Sequence, residues 1–169
     1  MYNDAKRNEG IRKLAKLIES IKFAMLTTVE PDGTLHARPM ACSEVEFDGD
    51  LWFFTRTDSA KTEEVRHDQN ASVSFANPKD QTYVTMAGKA SIVHDRARIE
   101  KLWSPLFKAY FPQGLDDPHL ALLKVEVERA EYWDSPGGKV VQLLGFAKAQ
   151  MTGEPYHGEG ADHERLDLS

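Results

Sequence analysis

Phe23-Ala-Met-Leu-Thr-Thr-Val29, Glu30-Pro-Asp-Gly33 and Thr34-Leu-His-Ala-Arg-Pro-Met40 follow one another without interruption, and their order decides the fold. The first run is rich in β-formers, and the second has Pro at its second position and Gly at its fourth, the residues a tight turn favours. A strand entering a hairpin is expected over Phe23–Val29, with the return strand over Thr34–Ser43. Beyond it, Val45–Phe47 reads as a short strand, Asp48-Gly49-Asp50 as a turn, and Leu51-Trp-Phe-Phe-Thr55 as a strong strand.

Upstream, Ile11, Leu14, Leu17, Ile18 and Ile21 make the apolar stripe of an amphipathic helix at about 9–21. Downstream, Thr57–Asp68 breaks the strand pattern, and Asp58 or Ser59 is placed to cap a short helix. Ala71–Asn77 alternates as a half-buried strand, Pro78-Lys-Asp80 turns, and Gln81–His94 is a long strand whose Gly88 marks a bulge or corner. Arg96–Phe111 reads as one or two helices interrupted at Ser104-Pro105, and Leu120–Trp133 as a strand pair or one long strand. Ser135-Pro-Gly-Gly138 turns, and Val140–Met151 carries a helical stripe ended by Gly153. The sum is a mainly β, α+β chain: an antiparallel meander of about six strands with helices at its ends and crossings. Closing such a sheet into a barrel removes its aggregation-prone edges, and an open α+β sheet is the alternative.

The chain has 169 residues, 41% hydrophobic, and a formal net charge of -6. At this length folding buries roughly 70% of the unfolded surface, so one domain with a real core is expected without disulfides. The single cysteine, Cys42, permits no internal disulfide, which fits a reducing, cytoplasmic compartment, and it reads as a small buried hydrophobe. The longest apolar runs are four residues, as at Phe23–Leu26, and no membrane span is expected. The start has charge but no apolar stretch of a secretory signal. The acidic balance argues against a nucleic-acid partner and leaves open a small anionic ligand held by local cations. Residues 154–169 supply -4 of the -6 and read as a flexible acidic tail after a domain over 1–153. His157 and His163 beside Glu159 and Asp162 match no structural-zinc spacing, and no metal is expected.

No Gly-x-Ser-x-Gly elbow, Walker loop or Gly-x-Gly-x-x-Gly is present, so classical nucleophile and nucleotide motifs are excluded. What stands out is His36-Ala-Arg38-Pro39-Met40 on one strand, Phe54-Thr55 ending another, and Ser59-Ala-Lys61 at a helix start. A phosphate monoester wants cations, hydroxyls and free backbone N–H groups together, and a helix start supplies the last. Arg38, Thr55, Ser59 and Lys61 are the right groups, and Pro39, without an N–H, suits a strand edge where backbone could face a planar ligand. Singly, each has an ordinary explanation as a solvated charge, a helix cap or a β-former. Their spacing carries the weight.

These runs, with Glu131-Tyr-Trp-Asp134 and with Tyr110-Phe-Pro-Gln-Gly114 and Asp117-Pro118 between them, resemble the general stress protein branch of the pyridoxamine 5'-phosphate oxidase-like family, over about residues 8–153. The resemblance implies a six-stranded antiparallel split β-barrel flanked by α-helices, forming a homodimer with FMN at the subunit interface. It implies that Arg38 and Lys61, with Thr55 and Ser59, hold the FMN phosphate. The backbone from Arg38 through Pro39 to Met40 would face the flavin and ribityl chain, Phe54 would help position it, and Trp133 would reach it from the other subunit.

Two departures bear on function. The oxidase branch carries an Arg-Leu-His substrate grip after its Trp, whereas here Lys139-Val-Val141 is followed by Gln142 and Leu143, so a vitamin B6 oxidase is not expected. Ala60 stands where the oxidase branch has a further phosphate cation, which implies weaker FMN binding. Two readings follow: a flavin-dependent oxidoreductase, with His36 the nearest acid or base, or a non-enzymatic flavin carrier or sensor. Haem or deazaflavin binding is the remaining alternative.

Overall fold

The structure, a computed structural model, describes residues 2–43, 47–135, 146–153 and 162–169. Helix α1 (Tyr2–Ile18) leads into strands β1 (Phe23–Val29), β2 (Leu35–Ala41) and β3 (Asp50–Arg56). Helix α2 (Ala60–His67), strands β4 (Asn70–Asn77) and β5 (Thr82–Val93), and helix α3 (Arg96–Leu102) follow. Two 3₁₀ turns, Pro105–Ala109 and Gly114–Asp116, precede the long strand β6 (Leu120–Asp134). A helix α4 covers 146–152, and β7 (Asp162–Asp167) closes the chain.

The hairpin that opens the sheet forms as its sequence requires. β1 and β2 pair antiparallel from Val29 opposite Leu35 to Phe23 opposite Ala41. In the turn, the Gly33 amide donates to the Glu30 carbonyl at 2.9 Å, and Gly33 sits at φ +86°, a conformation open to glycine at no steric cost. All pairs are antiparallel, and six strands run in the order β2-β1-β4-β5-β6-β3. The two end strands, β2 and β3, approach each other without forming a ladder, and the Ser43 hydroxyl donates to the Trp52 carbonyl at 3.1 Å across the gap. The sheet thus curls into a barrel split between β2 and β3, as expected.

Gly88 is the corner. The β5–β6 register shifts between Ala87 and Gly88, and a Cβ on Gly88 would lie 1.8 Å from the Glu126 carbonyl oxygen. Only a residue without a side chain lets the strands close here.

The barrel interior is filled by Leu26, Phe53, Val73, Val84, Met86 and Val125, with Ile11 and Leu14 of α1 laid against it. β3 turns alternate residues to opposite sides: Phe53 enters this core, and Phe54 enters a second one with Ile99, Leu102, Phe107, Phe111 and Leu122. The break at Ser104-Pro105 falls as expected, because Pro105 cannot continue α3 and instead opens a 3₁₀ turn. Among the described residues, no helix is long and apolar enough to cross a membrane.

Three expectations change. α1 begins at Tyr2 rather than near 9, since Ala5, Lys6 and Arg7 propagate a helix without adding to its apolar stripe. It ends at Ile18 instead of Ile21. Residues 162–169 are not a solvated tail: β7 pairs with β6 from Arg129 opposite Asp167 to Asp134 opposite Asp162, and Leu166 and Leu168 are buried in the main core. Two leucines at strand period outweigh the acidic composition around them. β7 continues along the edge of β6 that β3 occupies only from Leu120 to Glu126. The expected strand at Val45, the turn after Ser135, the stretch Lys139–Leu143, the first half of the helix over Val140–Met151, and the tail residues His157 and Glu159 lie outside the described residues.

Candidate functional site

β2 alternates. Leu35, Ala37 and Pro39 face outward, while His36, Arg38 and Met40 lie on the inner side. Met40 belongs to the core; two residues back, where the core gives way to polar groups, the Arg38 side chain is only 15% exposed. Its guanidinium Nη2 donates to Glu64 Oε2 at 2.5 Å, and Nη1 donates to Thr28 Oγ1. Thr28 in turn donates to the same carboxylate oxygen of Glu64. His36 Nδ1 stands 3.3 Å from Glu64 Oε1 and 3.0 Å from Glu30 Oε1. Glu64 projects from the buried face of α2, which packs on β1 and β5. Burial by itself raises the Glu64 pKa, but hydrogen bonds from Thr28 and Arg38 and the Arg38 charge outweigh it and hold the carboxyl below its ordinary value.

Lys61 lies one turn before Glu64 on α2 and is half-buried. Among the described residues, its ammonium has no hydrogen-bond or ion-pair partner. Burial lowers its pKa first, and the nearby Arg38 charge lowers it further, against a smaller opposing pull from Glu64. Among the described residues, Lys61 is therefore a second cation beside Arg38 with no direct ion pair, its one favourable charge being the Glu64 carboxylate that Arg38 already holds.

The hydroxyl groups meet at the corner between β3 and α2. Ser59 is the N-cap of α2 by position, but its side chain makes no cap hydrogen bond. It donates instead to the Arg56 carbonyl at 2.9 Å, with Thr62 Oγ1 at 3.1 Å and Thr55 Oγ1 at 3.5 Å. The start of α2 is thus left without a side-chain acceptor: the Ser59 carbonyl takes the Thr62 and Glu63 amides at 3.0 and 3.4 Å, and among the described residues the Ala60 and Lys61 N–H groups are left for an external anion.

The sequence-predicted residues do not all meet. Arg38 with Lys61, and Thr55 with Ser59, come together at or beside the start of α2. Pro39 is exposed on β2, whose second edge pairs with no described strand. The Phe54 ring is 6% exposed under Trp103, Phe107 and Phe111, so it offers little surface to a ligand. Trp133 stands at the end of β6, 37% exposed and stacked on His163 with centroids 5.0 Å apart. His163 also contacts Glu131 at 2.8 Å.

Sequence reasoning missed Glu64 and Thr28. Nothing in the spacing marked them, because their link to Arg38 runs between β1, β2 and α2. Glu30, His36 and Glu64 also present three donor atoms within 4.8 Å, the geometry of a cation site. Arg38 and Lys61 beside the same carboxylate oppose a divalent ion there. A cavity of about 640 Å³ opens at the other end of the split, lined by Cys42 and Ser43 after β2 and by Leu51, Trp52 and Phe53 of β3. It shares no residue with the Arg38–Lys61 cluster. Burial pushes the Cys42 thiol up to about 11, so it is protonated at neutral pH.

The chain is thus a split barrel in which the cations Arg38 and Lys61 and the hydroxyls of Thr55 and Ser59 gather beside the start of α2. The chain belongs to the family described as pyridoxamine 5'-phosphate oxidase like, whose model matches residues 9–157. It is 32% identical to Protein bli-3 of Neurospora crassa over 158 residues, 88% of this chain and 76% of that one. It is 30% identical to General stress protein 26 of Bacillus subtilis over 122 residues, 69% of this chain and 83% of the relative. A structure of a general stress FMN/FAD binding protein from Xanthomonas citri superposes with a TM-score of 0.65 at 28% identity, covering 77% of this chain and 92% of that one. A Clostridium acetobutylicum protein related to general stress protein 26 shares the fold, with a TM-score of 0.68 at 20% identity over 95% and 96% of the two chains.

Proposed function

We propose that the protein binds FMN through its phosphate, held by Arg38, Lys61, Thr55 and Ser59, in a homodimer whose second subunit completes the site. The observation that carries this reading is Lys61: a half-buried ammonium kept beside Arg38 with no direct ion pair among the described residues. A dianionic phosphate monoester relieves that repulsion and gains charge-assisted hydrogen bonds from both. The start of α2 without a side-chain cap and the edge of β2 beside Pro39, which pairs with no described strand, fit the same ligand. The Xanthomonas citri relative described as FMN/FAD binding supports the flavin rather than another phosphate ester.

The outer face of the sheet supports the dimer. Pro39, Met25, Ser74 and Thr85 stand opposite one another across β2, β1, β4 and β5, and Ala76, Tyr83 and Trp133 form the next row. Phe23 at 57%, Met25 at 42%, Tyr83 at 38% and Trp133 at 37% exposure make a wide apolar band on which a second copy fits. That band contains Trp133, so pairing through it brings Trp133 to the interface at which the flavin is proposed.

Bound FMN would supply one- and two-electron redox chemistry, while the chain binds and orients it. Whether turnover accompanies binding divides an oxidoreductase from a carrier or sensor. The carrier reading is favoured by the missing Arg-Leu-His substrate grip, in whose place stand Lys139-Val-Val141, Gln142 and Leu143. In a cytoplasm kept reducing, the lone Cys42 would remain a thiol. The test is a visible spectrum of the isolated protein, then fluorescence titration with FMN and riboflavin alongside sedimentation. Tight FMN binding, weak riboflavin binding and a dimer are expected. Equal affinities would overturn the phosphate anchor, a monomer that binds FMN fully would overturn the interface, and nicotinamide oxidation above the rate of free FMN would overturn the carrier reading.

A further inference from the structure

The phosphate reading leaves a buried charge inside the cation cluster unused. Glu64 is 6% exposed on its side chain, yet it is ionised and lies within the cationic cluster. Its Oε2 accepts from both Arg38 and Thr28, and its Oε1 faces His36. A buried carboxylate is costly to keep, and a mere stabilising role would be served as well by apolar packing. We propose that Glu64 is the resident anion of the phosphate site, a positioning residue that holds the Arg38 fork in place and, through its charge, keeps the affinity for a phosphate-bearing ligand low enough for exchange. This rests on the phosphate reading above.

Two features of the geometry support it. Arg38 commits Nη1 to Thr28 and Nη2 to Glu64, while a guanidinium has five N–H donors. Donors remain for a phosphate, so Glu64 orients the fork without closing it. The cluster of Arg38, Lys61 and Glu64 carries one net positive charge where the two cations alone would carry two, and an incoming dianion meets the smaller field. Glu30 and His36 lie further out, each more than a third exposed, where solvent screens them.

Glu64→Gln separates the two roles. The amide oxygen still accepts from Thr28 and Arg38, the amide N–H can donate to His36, and only the charge is lost. The full-length variant is titrated with FMN, riboflavin and inorganic phosphate, at low and moderate salt. Expected are an FMN affinity about tenfold or more above wild type, an unchanged riboflavin affinity, and a steeper salt dependence for FMN. An FMN affinity equal to or below wild type would overturn the proposal. If neither protein binds FMN but Glu64→Gln is thermally stabilised by inorganic phosphate more than wild type is, the Glu64 role stands and the flavin reading falls. Should Glu64→Gln not fold, Glu64→Asp keeps the charge while drawing it back one methylene, and its FMN binding is expected to keep the wild-type salt dependence; a steeper salt dependence would overturn the role of the charge.

Discussion

Lys61→Met should move stability and binding in opposite directions. In the protein without ligand, Lys61 is half-buried, near Arg38, and has no ion-pair partner among the described residues, so its charge costs free energy. Methionine keeps the length of the aliphatic stem and removes that charge. The variant should be more stable than wild type by about 0.5 kcal/mol or more, the usual gain from relieving an unfavourable charge. With FMN the sign reverses. A lost hydrogen bond from a charged donor to the phosphate costs about 1.5–3 kcal/mol, or roughly 10- to 150-fold in affinity.

The pH dependence gives an independent check. Because the folded-state pKa of Lys61 is depressed, the unfolded chain binds the extra proton in the alkaline range just below lysine's ordinary 10.5. Its cost is fully present at neutral pH and disappears as pH rises through that range, so this residue's contribution to stability increases with pH there. In Lys61→Met that contribution should be absent. Urea denaturation at pH 7 and pH 10, with FMN titration at pH 7, measures all three quantities. A variant that loses stability and keeps FMN affinity would show Lys61 to be an ordinary structural cation and refute the reasoning.

Other consequences are read on the fold. Gly88→Ala would place a methyl 1.8 Å from the Glu126 carbonyl oxygen and should cost ~3 kcal/mol or more, measured by denaturation; a cost below about 1 kcal/mol would mean that the β5–β6 corner yields. Leu168→Ala, at 2% exposure in the core, should cost about 2–5 kcal/mol, whereas a solvated terminal segment would lose almost nothing. Cys42 should alkylate slowly at pH 8, with a rate that climbs toward a midpoint near 11; a midpoint near the ~8.5 of a free thiol would show that it is not shielded.

The fold was legible wherever local chemistry and burial agree. The Glu30–Gly33 turn, the Gly88 corner and the Ser104-Pro105 break are each required by the residue type at that position, and each stands where it was expected. The last strand was not legible from composition. His163, Glu164 and Arg165 look like solvent-exposed residues, and only Leu166 and Leu168 report the buried face, too short a run to outweigh the charges. The edge of β6 decides the matter: β3 leaves it unpaired beyond Glu126, and β7 satisfies backbone groups that would otherwise invite another chain. Lys13 adds ion pairs to Asp134 and Asp162 at 3.9 and 3.3 Å, so acids that suggested mobility help hold the segment down.

The candidate site divides along the same line. Arg38, Lys61, Thr55 and Ser59 could be picked out because a phosphate site needs their side-chain chemistry, and Lys61, Thr55 and Ser59 lie near a strand end or helix start. Glu64 could not, since on α2 it reads as one acid among polar neighbours, and Thr28 reads as a β-former. What makes them part of the site is their meeting with Arg38: β1 opposes β2 with Leu26 across from Arg38, which sets Thr28 one inward position along, and α2 lowers Glu64 onto the pair. Sequence can therefore name the groups that attract a ligand more readily than the internal groups that restrain them. The strength of a binding site depends on both. In this barrel the restraining carboxylate accepts a hydrogen bond from the cation it restrains, so a single methylene-length or charge change at Glu64 bears on the affinity of the whole cluster.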